Sequence, residues 1–280
     1  MPPDRRRYWA EQMEAAYEFM QRLLAHPVRE CGEPLACLKA RSREAGVEIA
    51  FPTGKKLGRF SRSFHFRRTV VEKLLAAGEG LLRGGYVLWI EDGYRSPRRQ
   101  AQGARSDYCL RSALEKVRWE LNGQAPGAEL VFRRLAVWTA TTPKFANHTA
   151  GSAADVWLLS RRDGSPVDFG APYPEFSERT PMDSPFISGQ ARRMRRLLCD
   201  ALAEHDLLPY PYEFWHFSHG DADYELLAGR GREARFGPVR RSPDDGQVTP
   251  VADPLAPFVT LEDIRPRLRR LLRAGEGEPS

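Results

Sequence analysis

The chain has 280 residues, enough for one large domain or two small ones. At 41% hydrophobic and 29% charged it has the composition of an ordinary globular protein, which excludes disordered and fibrous classes. Net charge is 43 − 37 = +6, but the basic doublets are scattered, most of them alternating with leucines as on a solvated helix face, so no nucleic-acid partner is expected.

Taken in chain order, the N-terminus MPPDRRRYWAEQMEAAYEF has basic residues but no apolar stretch behind them, so no secretory signal is expected. Trp9, Met13, Ala16, Tyr17, Met20 and Leu24 recur near helical spacing and predict an amphipathic helix over 8–25. Residues 26–66, broken by Pro27, Gly32, Pro34, Pro52, Gly54 and Gly58, read as irregular. A second helix is predicted over 67–83, and YVLWI (86–90) then reads as a short buried strand.

Ser96-Pro97 marks a helix start, and Asn122-Gly123 its stop. LAVWTA (135–140) and DVWLL (155–159) are strand candidates, Ser188 caps a further helix, and YEFWHF (212–217) looks extended. Residues 241–258 read as a linker, after which Thr260 and Asp263 suggest a capping box opening a last helix. No apolar stretch approaches the roughly 20 residues a membrane span requires. Cys31, Cys37, Cys109 and Cys199 show no paired spacing and read as reduced thiols, so a cytoplasmic location is expected. Strands interleaved with segregated helices predict one α+β domain over 1–240, its first 27 residues the N-terminal helix, with a C-terminal extension over 241–280.

A catalytic zinc takes three protein ligands and leaves a position open for water, with a carboxylate nearby as base. Of six histidines, His26 and His205 sit at predicted helix ends, and His65 lies between two phenylalanines. His148 and His216 differ because acids accompany them. His148 is separated from Asp155 by Thr-Ala-Gly-Ser-Ala-Ala, small residues that leave room for a turn, and His216 follows Glu213 by three. On a regular strand residues three apart face opposite sides, so a site shared by Glu213 and His216 needs a bulge or a strand end. Two histidines and two carboxylates together amount to a hydrolytic zinc site with one acid to spare. Arg95, on the turn leaving YVLWI, is placed either to stabilise a developing oxyanion or to pair with Glu91 or Asp92 on the surface.

In order, DGYR (92–95), HTAGSAAD (148–155) and EFWH (213–216) resemble the blocks DGYRP, SxHxxGxAxD and ExWH of the D-alanyl-D-alanine dipeptidase family of zinc peptidases, to which the vancomycin-resistance dipeptidases belong. DFGAPYPEFSERT (168–180) and HGDADYELLAGRGREARFGPV (219–239) resemble further family segments, so the likeness spans residues 28 to 240. The resemblance implies a small central antiparallel sheet with flanking helices, and a zinc held at that sheet by His148, Asp155 and His216. It makes Glu213 the general base and Arg95 the oxyanion partner. Tyr94, Asn147, Tyr173, Glu175 and Trp215, in or beside these blocks, are candidate substrate contacts.

Three positions differ from the family pattern: Ala146 replaces the serine two before the first histidine, Pro174 replaces an aspartate associated with the substrate ammonium, and Ser96 replaces the proline of DGYRP. The implied activity is zinc-dependent hydrolysis of D-Ala-D-Ala or a related small dipeptide. The same chemistry on a peptidoglycan-derived peptide or a natural-product intermediate is the alternative.

Overall fold

The computed structural model describes residues 4–54, 56–57 and 60–275. Helix α1 (Arg5–Ala25) starts where the Asp4 carboxylate accepts hydrogen bonds from the amides of Arg6 and Arg7, and it buries Trp9, Met13, Ala16, Phe19, Met20 and Leu23. The segment read as irregular holds short elements: β1 (Leu35–Cys37), α2 (Leu38–Ala45), β2 (Ile49–Ala50), β3 (Lys56–Leu57), β4 (Phe60–Ser61) and β5 (His65–Arg67). Helix α3 (Arg68–Arg83) then leads into β6 (Tyr86–Asp92).

Helices α4 (Pro97–Ala104), α5 (Asp107–Glu120) and α6 (Ala128–Thr139) follow. A 3-10 turn, Pro143–Phe145, and the one-turn α7 (Asn147–Ala150) bring the chain to β7 (Ala153–Ser160). The remainder comprises α8 (Gly189–Ala203), β8 (Leu208–Pro209), β9 (His216–Ser218), α9 (Ala222–Ala228), β10 (Val239–Arg241), β11 (Val248–Pro250) and α10 (Leu261–Gly275).

A five-stranded sheet of order β2-β6-β7-β9-β8 forms the centre. It is antiparallel except at one edge, where β2 runs parallel to β6. Leu88, Ile90, Val156, Leu158 and Phe217 from its strands join Val70, Leu74 and Leu81 of α3 and Leu198 and Leu202 of α8 in the main core. A second core lies among α5, α6 and α10. Among the described residues no helix is long and apolar enough to cross a membrane.

Three local expectations change, and the order of the 241–258 linker, which the sequence left open, is answered. The single helix expected after Ser96 is two, because Ser106 accepts the Cys109 amide and starts α5 afresh. LAVWTA is helix: Val131, Arg134 and Leu135, spaced by three and four, face inward on α6, a period that a six-residue window is too short to show. YEFWHF is a turn over Tyr212–Trp215 that becomes strand only at His216. The 241–258 segment is ordered: β10 pairs with β11, and Phe258 and Val259 are buried beside Ile264 and Leu268 of α10. At the start of α10, Thr260 and Asp263 exchange the two hydrogen bonds of a capping box.

The basic doublets also differ from a solvated face. Arg67, Arg134 and Arg195 each turn inward while their neighbours do not. Arg67 joins Glu30 to the carbonyls of Glu33 and Ala150, and Arg134 pairs with Glu120 and Glu14. Arg195 donates only to backbone carbonyls, those of Phe169, Pro181, Met182 and Arg179. Buried guanidiniums that donate in several directions tie separate segments together at the cost of their hydration. Among the described residues the cysteines form no disulfide.

Candidate metal centre and its cleft

Three neighbouring strands carry the site at their ends. Register pairs Asp92 on β6 with Asp155 on β7, and Asp155 with His216 on β9. A bulge between Ile90 and Asp92 re-aims Asp92, and Ala153 and Ala154 let the buried start of β7 sit between its neighbours. His148 arrives from the other side on α7, which ends at Gly151 in the left-handed region (φ 70°). The small residues of HTAGSAAD serve this tight turn: a Cβ on Gly151 would run into the Leu35 side chain.

His148 Nε2 and His216 Nδ1 each lie 3.2 Å from Asp155 Oδ1, and the three ligand atoms all fall within 4.8 Å of one another. All three residues are buried. His148 Nδ1 is 2.8 Å from the Gly93 carbonyl, which can only accept, so the proton sits there and Nε2 turns its lone pair toward the cluster. Two imidazole nitrogens and a carboxylate oxygen are the donor set of a catalytic zinc, and this side of the geometry fits one.

The turn from Tyr210 to His216 settles how Glu213 and His216 reach the same place. The Glu213 amide donates to the Tyr210 carbonyl, His216 to Glu213, and Tyr210 back to His216. Glu213 Oε2 thereby stands 3.9 Å from His216 Nδ1 without joining the cluster. Burial, with the charge of Asp155 adding to it, pushes the Glu213 pKa up to about 7 although His216 and Arg95 pull the other way.

Arg95 is not a surface residue. Its Nε donates to Asp92 Oδ2 at 2.9 Å and its Nη2 to Asp155 Oδ2 at 2.5 Å, and its own amide donates to the His148 carbonyl. Asp92 also accepts from Arg99 Nη2 at 2.5 Å and from the Ser63 amide. Burial would raise the Asp92 pKa, but Arg95 and Arg99 together hold it below the usual carboxylate range. The Tyr173 hydroxyl donates to Asp155 Oδ2 at 2.8 Å.

A cavity of about 600 Å³ opens over this cluster. Arg95, His148, Asp155, Glu213 and His216 line it, as do the candidate contacts Asn147, Tyr173 and Trp215. Two other candidates point elsewhere. Tyr94 is buried with Leu35 and Val239, its hydroxyl donating to the Val239 carbonyl, and Glu175 is taken up by Arg179 and Ser177. In both cases a position inside a matching block put the residue near the cleft in sequence but not in space. The sequence reading missed Asp223, which lines the cavity, and Phe19, Met20 and Leu23 of α1, which line it together with Val137 and Trp138. The acidic alternation Asp221, Asp223, Glu225 after His219 was the available signal for Asp223.

The family model described as D-Ala-D-Ala dipeptidase matches residues 53–228, well over half of the chain. The chain belongs to that family. It is a zinc metallopeptidase, and zinc is its cofactor. No curated protein matches it. Among solved structures it is similar to the LdcB LD-carboxypeptidase, with 16% identity, 74% of this chain and 77% of that chain covered, and a TM-score of 0.38. It is also similar to a mutant of the vancomycin resistance D,D-pentapeptidase VanY in complex with Zn(II), with 11% identity, 67% and 96% coverage, and a TM-score of 0.36.

Proposed function

We propose that the protein is a cytoplasmic zinc-dependent dipeptidase acting on D-Ala-D-Ala or a closely related small dipeptide. The observation that carries this reading is a buried His148–Asp155–His216 cluster with a fourth group, Glu213, close by but off it. In this reading His148 Nε2, Asp155 Oδ1 and His216 Nδ1 hold the zinc. When bound, the zinc supplies Lewis-acid chemistry, making water acidic and polarising a carbonyl. Glu213 takes the proton from the attacking water at its carboxylate and returns it to the leaving nitrogen, and its raised pKa suits both transfers near neutral pH.

Arg95, anchored by Asp92, presents its guanidinium at the cluster, where charge develops on the carbonyl oxygen. Tyr173 and Trp215 border the same space in an edge-to-face contact at 5.3 Å and orient the peptide. Four cysteines with no disulfide among the described residues accord with a reducing compartment.

A second substrate within the same chemistry is favoured by two observations. The cavity, at about 600 Å³, exceeds what two alanines fill, and Ala146 and Pro174 replace polar positions of the family pattern. A panel of D,D and L,L dipeptides with zinc-loaded protein tests both substrate readings. Hydrolysis is expected, with a loss of at least 10³-fold in kcat for Glu213→Ala. His148→Ala and His216→Ala are expected to lose zinc by metal analysis. No cleavage of any peptide, or full zinc retention in both variants, refutes the reading.

A further inference from the structure

The cleft contains one acid for which the reaction has no use. Asp223, on α9, is 5% exposed and lines the cavity. Its Oδ2 accepts a hydrogen bond from the Asn147 amide, and its Oδ1 has no partner among the described residues. The contrast with Asp221, two residues earlier, is direct. Asp221 caps α9 and accepts from the Ser152 and Ser218 hydroxyls and the Tyr224 amide, so both of its oxygens are satisfied. A buried carboxylate oxygen without a donor is left with its desolvation uncompensated. Such a cost is offset when a donor arrives from outside the chain.

The neighbours of Asp223 narrow the identity of that donor. Asp221 and Glu213 add negative charge around it. Asn147 already fills the neutral-donor position. A charged donor is what this pocket lacks, and a charge-assisted hydrogen bond is the strong form of the missing contact. At the position where the family pattern carries an aspartate this chain has Pro174, which also lines the cleft and offers no acceptor side chain.

We propose that Asp223, braced by Asn147, binds an ammonium group of the peptide substrate and selects for amine-bearing peptides over acylated ones. The inference rests on the peptidase reading above. The ammonium is either the free α-amine of the residue before the scissile bond or a side-chain amine at that residue.

Equilibrium binding to zinc-loaded Glu213→Ala protein, which holds substrate without turning it over, tests this. The probes, in D,D and L,L forms, are Ala-Ala, N-acetyl-Ala-Ala and Nα-acetyl-Lys-Ala. An amine-bearing probe is expected to bind at least tenfold tighter than N-acetyl-Ala-Ala. If Ala-Ala is the tighter one the group is the α-amine; if Nα-acetyl-Lys-Ala is, the group is the side-chain amine. Asp223→Asn is expected to erase the preference with zinc content unchanged, and Asp223→Glu to retain most of it. Asp223→Ser replaces the Asn variant if thermal unfolding shows that it does not fold. Equal affinity for all three probes, including no binding to any, overturns the proposal. So does a preference that survives in Asp223→Asn, or a zinc loss in that variant with equal weakening on every probe, which would make Asp223 a support of His216. A preserved preference in a protein that hydrolyses no peptide would instead refute the dipeptidase reading and leave this one standing.

Discussion

Replacing Asp92 with asparagine changes one charge and almost no volume, and it isolates what aims Arg95. Asp92 is fully buried and accepts from Arg95 Nε, Arg99 Nη2 and the Ser63 amide at 2.9, 2.5 and 3.0 Å. An asparagine can still accept from Ser63 but turns its amide protons toward two guanidiniums. Removing one partner of a buried ion pair costs about 3–5 kcal/mol. The arginine side chains keep 22% and 15% of their exposure, and Arg95 keeps Asp155, so the loss here is about 2–3 kcal/mol. Urea unfolding is expected to show a midpoint about 1 M lower at unchanged slope. Because Arg95 loses its anchor and not its charge, kcat is expected to fall about tenfold, less than the 10²–10³ of an outright donor deletion. A stability change under about 0.5 kcal/mol with unaltered kcat would refute the idea that Asp92 holds Arg95 in place.

Acid should destabilise the fold through His65, whose pKa burial, and then the charge of Arg241, push down to about 4 from 6.5. The unfolded chain takes up the proton first, so stability is level above pH 6.5, falls as pH drops toward 4 and stays low below it. The full shift is about 3 kcal/mol, reduced to roughly 1–2 for a partly exposed ring. His65→Asn should flatten this part of the stability profile between pH 7.5 and 4.5, and an equally steep fall in the variant rejects it. Gly151→Ala forces a side chain onto a left-handed residue and against Leu35. It should cost about 2–3 kcal/mol and lower zinc content through the His148 turn, and an unchanged melting temperature would count against that account. Thr260→Ala removes half of the α10 capping box and should cost about 1 kcal/mol with activity intact, measured by thermal unfolding and peptide hydrolysis.

What could be read from the sequence followed the range of each signal. β6 and β7 announce themselves through uninterrupted apolar runs, and α1, α3 and α8 through long helical periods, with Ser188 as the cap of α8. His148, Asp155, Glu213 and His216 were legible as a group because each acid travels with a histidine in the same short block. α6 failed because the window LAVWTA is shorter than two helical turns. The buried arginines failed because nothing local separates Arg67, Arg134 and Arg195 from the solvent-facing neighbours beside them. Their partners, Glu30, Glu120 and the Phe169 carbonyl, lie 14 to 37 residues away. The Glu213–His216 puzzle was posed correctly by strand geometry and needed only the turn that ends at β9.

The cleft lining has two origins. The cluster comes from strand ends and α7, all within the matched residues 53–228. Phe19, Met20 and Leu23, which also line the cleft, belong to α1, which precedes that match. α1 is fixed against α5 by the Trp9 indole, which donates to Glu120, and against α6 by Glu14, which pairs with both Arg133 and Arg134. A helix outside the catalytic blocks thus supplies apolar side chains to the cleft. Asp155 and His216 come from the sheet itself, His148, Arg95 and Glu213 from the helix and turns at its strand ends, and Asp223 and Pro174 from segments outside it.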